Sequence, residues 1–302
     1  MQLYKATIDP ISNFSTPIKG DTFFGHICWG VLYNEKRLDL ELEKLLDKYK
    51  DGKPFLVVSD AFAPGYFPKP KMPSYMLNED PKDKKENRKK VWLTLEDLQN
   101  GNYKNAKKDK EAYIKDKKET IVRNSINYKT FTTDSGKFAP YGVEEISLSS
   151  KDIYFLVDEE QISSEKIKTI IEFIGDIGYG KDSTVGKGRF VVKNFEKIDI
   201  DFNATTYMAL SPFVIDNTNL KRSFYEPFIR FGKFGGDRAY KNAFKNFVLL
   251  ANSGAVLEFK NREKREFTGN AITNLSKKYR DSVMQGYTIL LPIKDLSWKV
   301  IK

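Results

Sequence analysis

Residues 2–8 alternate between apolar and polar, with Tyr4, Ala6 and Ile8 on one face, which predicts a half-buried strand ending at Pro10. From Asp21 the period lengthens. Phe23, Phe24, Ile27, Cys28, Val31 and Leu32 recur at helical spacing, with Asp21 as the expected N-cap. A second amphipathic helix is expected over 39–49, and PFLVVSDAF at 54–62 reads as a buried strand. PGYFPKPKMP at 64–73 carries too much proline for regular structure.

Strand-like pieces return at 146–148 (ISL) and 152–157 (DIYFLV), after an expected turn DSG at 134–136. The clearest helix follows, capped by Ser164, with Ile167, Ile170, Ile171, Ile174 and Ile177 in one stripe. Next come GYGKDSTVGKGRF at 178–190 and a strand, RFVVKNF, at 189–195. The order is strand, helix, strand, an inserted stretch, strand, helix, glycine-rich loop, strand. That is the βαββαβ pattern of ferredoxin-like, RRM-like domains. TTYMALSP at 205–212 echoes YKATIDP at 4–10 and points to a second related unit. In that half, FVLLANSGAVLEF at 247–259 predicts a hairpin about Asn252–Gly254, and GYTILLPI at 286–293 a closing strand.

Length allows two domains, 1–202 and 203–302, each with its own core. Charge narrows the class of partner. Lys and Arg number 51 against 41 Asp and Glu, net +10, which favours a polyanion, although a solvated basic surface has the same composition. Between Pro81 and Lys118 thirteen basic residues face seven acidic ones. This segment, about 78–120, reads as an exposed insertion, either a solvated loop or a nucleic-acid-contacting arm. A single cysteine, Cys28, excludes an internal disulfide, and with His26 as the one histidine no Cys/His zinc cluster can be assembled. No metal or cofactor motif and no nucleophile elbow is present. Neither a signal peptide nor an apolar run of membrane-spanning length is found, so a soluble, cytoplasmic protein with no membrane partner is expected.

The glycine run at 178–190 is not a nucleotide loop. Five residues separate Gly180 from Gly186, and Lys187 is followed by Gly188 where a P-loop needs Ser or Thr. Ser183 stands where a dinucleotide fingerprint needs its third glycine. What remains is a turn-rich backbone able to approach a strand of RNA. Lys181, Lys187 and Arg189 would neutralise phosphates, and Ser183 and Thr184 would donate to phosphate or 2′-OH. A tight connection with idle lysines fits the same residues.

KGDTFFGHICWG at 19–30, PFLVVSDAFAPGYFPKP at 54–70, GYGKDSTVGKGRF at 178–190 and RFGKFGGD at 230–237 together resemble the RAMP superfamily of CRISPR systems. Within it, the chain is similar to the fourth subunit of the type III-A Csm interference complex. The resemblance implies two ferredoxin-like domains and a non-catalytic subunit that caps the 5′ tag of the crRNA. Such a subunit meets the large polymerase-like subunit and the first backbone RAMP subunit, and reaches target RNA indirectly through a thumb-like hairpin. It also implies RNA contact at Gly180, Gly186, Gly188 and their neighbours, and at Arg123 and Asn124, which match a family position near RNA; turn capping is the alternative for that pair. Lys19, before the first helix, and Lys233 and Arg238 would extend the track. Related endonucleases of the superfamily cleave crRNA precursors without metal through a histidine, which makes His26 the alternative catalytic residue. On its helix His26 shares a stripe with Thr22, Trp29 and Tyr33, off the apolar face. No spacing identifies a partner for it, and a structural or RNA-binding histidine fits equally.

Overall fold

The computed structural model describes residues 1–112, 114–133, 136–240 and 243–296. Strand β1 (Gln2–Pro10) leads into helices α1 (Gly20–Leu38) and α2 (Leu42–Lys50) and strand β2 (Leu56–Phe62). α1 begins at Gly20, whose amide donates to Asp60 Oδ1 of β2 at 2.9 Å. A carboxylate there suits the positive end of the helix. Asp21 is therefore not the cap; it lies inside the first turn. A Cβ at position 20 would stand 2.2 Å from the Val58 carbonyl oxygen, so this approach of helix to strand requires glycine.

β3 (Phe67–Pro68) precedes the inserted segment, which holds α3 (Lys84–Asn87), β4 (Trp92–Leu93), paired with β3, and α4 (Leu95–Asn100). The Thr94 hydroxyl caps α4 by accepting the Asp97 N–H at 3.2 Å. Leu77, Leu93, Leu98, Tyr103 and Ala106 join the main core. The basic run is thus no bare loop but a folded cover that turns its lysines outward. After it, β5 (Lys117–Arg123) and β6 (Tyr141–Ser147) form an antiparallel ribbon. Asp134 and Ser135 of the expected DSG turn lie outside the described residues.

β7 (Lys151–Val157), α5 (Ser164–Ile177) and β8 (Phe190–Ile198) complete an antiparallel sheet of order β2-β7-β1-β8. This order brings the first and third sheet strands of the βαββαβ chain side by side at the centre. Ser163, one residue before the expected cap, accepts the Lys166 N–H through its hydroxyl at 3.4 Å. Ile167, Ile170, Ile171 and Ile174 are buried, while Ile177 reaches the surface at the loop. α1 and α5 meet at Gly30, where a Cβ would stand 2.6 Å from Ile170 Cγ2.

The second half carries β9 (Asn203–Ala209), β10 (Leu220–Phe224), β11 (Pro227–Arg230), β12 (Val248–Ala251), β13 (Val256–Lys264), β14 (Phe267–Gly269) and β15 (Tyr287–Pro292). Two expectations fail here. No α-helix occurs among its described residues, so a second ferredoxin-like domain is not formed; a sheet of order β10-β13-β9-β15-β14 stands in its place. FVLLANSGAVLEF is not a hairpin either. The chain turns at Gly254, but β12 pairs with β11 while β13 pairs with β10 and β9.

Sheet edge β2 is sealed by the second half. The Gln285 amide accepts from Val58 N–H at 2.8 Å and donates to Val58 O at 2.7 Å, imitating a ladder strand, and Asp60 N–H donates to Leu210 O at 2.8 Å. Val256, Tyr287, Ile289 and Leu291 consequently share one core with both helices.

If the insertion is structural, Leu98→Ala should cost about 2–4 kcal/mol in chemical denaturation, the usual penalty for a buried leucine. A loss below about 0.5 kcal/mol, typical of surface positions, would mean that the segment is not part of the core.

Candidate nucleic-acid interface

α5 stops at Gly178, whose φ of +93° leaves the helical region while its N–H still donates to Ile174 O at 2.8 Å. The loop beyond is tied at a neck, where Tyr179 N–H donates to Gly188 O at 2.9 Å. Segment 12–19 holds its flanks. Gly188 N–H donates to Asn13 O at 2.9 Å, Arg189 N–H to Ser12 Oγ at 2.9 Å and Lys181 N–H to Thr16 Oγ1 at 3.0 Å. The buried Tyr179 ring packs against Phe23, with centroids 5.6 Å apart, and against His26 at 4.8 Å. Its hydroxyl donates to Pro17 O and accepts from Lys19 N–H, each at 3.1 Å.

His26 supplies the remaining anchor. Its Nε2 accepts the Gly180 N–H at 3.0 Å, which requires a neutral ring with the proton on Nδ1. Burial pushes its pKa down to about 4, and the Lys245 ammonium adds to the effect. A histidine so engaged is neither charged at neutral pH nor free at Nε2 to move a proton.

Three of the loop's glycines serve its own packing. With φ positive at each, a Cβ would stand 2.3 Å from Lys187 O at Gly178, 2.9 Å from Thr16 Cβ at Gly180 and 2.0 Å from Tyr179 O at Gly188. The direction a side chain would take at these three positions is thus occupied by the protein itself. Gly186, φ +85°, faces open space. At the tip Asp182 takes a left-handed conformation, φ 64°, and begins a single 3-10 turn, Ser183–Val185. The amides of Asp182, Ser183 and Thr184 take no part in the backbone network, and consecutive amides of this kind suit an anion.

The expected cations divide into two groups. Lys187 Nζ lies 2.5 Å from Glu145 Oε2, and Arg123 reaches Glu145 Oε1 at 2.7 Å and Asp182 Oδ2 at 3.2 Å. Glu145 is buried on β6, and its pKa falls to about 2 because Lys187, Asn13 and Arg123 donate to its carboxylate. Lys19 is bound to Asp60 at 2.6 Å, and Arg238 to Asp281 at 2.5 Å. Lys181 and Arg189, by contrast, are exposed and enter no ion pair among the described residues. Thr184 and Asn124 are exposed, and Ser183 is half-buried. Lys233 lies 4.5 Å over the Phe244 ring, in the second glycine-containing loop. That loop packs on α1 as well, since a Cβ at Gly236 would stand 2.8 Å from Tyr33 Oη and 2.9 Å from the Trp29 ring. The polar stripe of α1 is therefore a seat for two loops of the protein.

Glu145, Asn13 and Thr16 were not among the expected site residues. In VEEISL, Val143 and Glu145 alternate inward, and that period was the available sign of a buried carboxylate. Among the described residues no group of His, Cys, Asp and Glu could hold a metal, and no helix is long and apolar enough to cross a membrane.

Solved structures repeat this trace from end to end. A chain of the Csm1–Csm4 cassette in complex with AMPPNP is similar with a TM-score of 0.63 and 18% identity, over 99% of this chain and 100% of that one. A chain of the same cassette with pppApA gives 0.60 and 17%, over 98% and 99%. A chain of the Csm3–Csm4 subcomplex of the type III-A CRISPR-Cas interference complex gives 0.59 and 19%, over 97% and 99%. Csm4 is the component common to these assemblies. The chain has the Csm4 fold. No family model matches the sequence, and no curated protein matches it. The Csm4 fold thus comes here with a closed, self-packed loop whose outward chemistry is confined to its tip and the side chains of Lys181 and Arg189.

The two anchors should respond to acid in separate windows. Protonating His26 breaks the Gly180 bond, so its contribution is full above the ordinary value of 6.5 and lost as pH falls through about 4. That of Glu145 is full above 4.5 and lost as pH falls through about 2. In urea titrations at stepped pH, His26→Gln should flatten the limb between pH 6.5 and 4, and Glu145→Gln only the limb below 4.5. Wild-type profiles in both variants would exclude these anchors.

Proposed function

We propose that this chain is a non-catalytic RNA-binding subunit of a type III-A CRISPR effector, which holds the 5′ tag of the crRNA and joins the large polymerase-like subunit to the backbone. The observation that carries the reading is the end-to-end likeness to chains solved both with Csm1 and with Csm3. A subunit that meets both would sit at their junction, in the cytoplasm, as part of antiviral defence. Units 1–202 and 203–302 then act as one body, the first presenting the glycine loop.

On the loop, Lys181 and Arg189 neutralise phosphates while the amides of Asp182, Ser183 and Thr184 donate to a phosphate oxygen of the RNA strand between them. Lys187 and Arg123 have a different part. Bound to Glu145, they hold the loop against the β5–β6 ribbon and set its position rather than supplying free charge. The ribbon, whose tip exposes Tyr128 and Phe131, serves as the thumb that reaches the guide–target duplex. The rival role of His26 as a nuclease residue finds no support in a neutral ring whose Nε2 is engaged.

Binding of single-stranded RNA measured against salt tests the assignment. Lys181→Ala with Arg189→Ala should lower the log–log slope by about 1.4, at about 0.7 per lost phosphate contact. An unchanged slope would remove both from the interface. Specific cleavage of a labelled crRNA precursor in chelator, abolished by His26→Ala, would overturn the non-catalytic reading.

A further inference from the structure

The β11–β12 hairpin breaks the usual rule for a half-buried ribbon. Its inward side chains include Phe228 and Arg230; Arg230 grips Asp21 at the start of α1 through two contacts of 2.5 Å. Its outward positions are not polar. Ile229 is 68% exposed, Phe231 61%, Phe247 77% and Leu249 66%. Phe231 stacks on Phe244 at the loop end of the hairpin, with centroids 5.2 Å apart and planes 10° from parallel. Lys233 lies over Phe244.

We propose that Phe231, Phe244 and Phe247 form a stacking platform for unpaired bases of a single RNA strand. The proposal rests on the RNA-binding reading given above and extends it to rings that no part of that reading uses. Three observations favour RNA over a protein partner. Lys233, exposed in the connecting loop, lies 4.5 Å over the Phe244 ring and puts a cation beside the stack, whereas the centre of a protein interface is depleted of lysine. Phe231 and Phe244 are already near parallel, so a base continues an existing stack without ordering a new one. The hairpin is also clamped by Arg230 to the start of α1, the helix on which the glycine loop is seated, so one strand can follow both. Ile229 and Leu249, paired across the ribbon, continue its outward apolar face.

The test uses the full chain and a labelled single-stranded RNA of mixed sequence. Phe231→Leu and Phe247→Leu keep apolar area but lose the ring face, and each should weaken binding about fivefold or more without altering the salt slope. Phe247→Trp should restore affinity, and its emission should be quenched by RNA but not by an abasic oligomer of equal length. Leucine variants that bind as wild type, while Lys181→Ala with Arg189→Ala lose affinity, would overturn the platform alone and mark the ledge as a protein-docking surface. Wild-type chain that fails to bind the RNA would overturn the platform and the loop assignment together.

Discussion

The hydrogen bond from Gly180 N–H to His26 Nε2 fixes where the glycine loop can lie. It ties the loop to α1 at a point where the backbone has no side chain of its own to pack, and Tyr179 fills the volume beside it. With neck and flanks hydrogen-bonded to segment 12–19, the loop cannot rearrange around a ligand without breaking several bonds in a half-buried setting. Whatever binds must take the tip as it stands. That is preorganisation, which lowers the ordering cost of holding a flexible strand.

Charge is arranged on the same principle. A buried carboxylate that draws in Lys187 and Arg123 would be costly if left alone, and with both cations and Asn13 it becomes a rigid joint between loop and ribbon. The net positive charge of the chain therefore overstates what is available to RNA near the loop. Lys181 and Arg189 are the part that remains. A second joint, Arg230 to Asp21, clamps the second half to the start of α1, and the Gln285 amide closes the edge of β2. Both halves are thus built around the same helix.

Much of the first half was legible because its periods are clean. The isoleucine stripe of α5 and the alternation of β1 each have one interpretation, and their order leads to the sheet β2-β7-β1-β8. The second half misled for physical reasons. A run such as FVLLANSGAVLEF has the composition of a hairpin, yet its two strands find partners far away in sequence, and no local signal encodes that choice. The glycines were legible only in part. Positive φ at Gly178, Gly180 and Gly188 was foreseeable from sequence; that the space beside them belongs to Lys187, Thr16 and Tyr179 depends on tertiary packing. The basic insertion hid a core because its few apolar residues are spaced by short turns rather than by a helical or strand period.

Amide hydrogen exchange on the free and RNA-bound chain tests the central claim most directly. A preformed loop predicts slow exchange at Tyr179, Gly180, Lys181 and Gly188 without RNA, fast exchange at Asp182, Ser183 and Thr184, and selective slowing of these three when RNA is added. Fast exchange throughout the loop in the free chain, or protection by RNA that bypasses its tip, would contradict it.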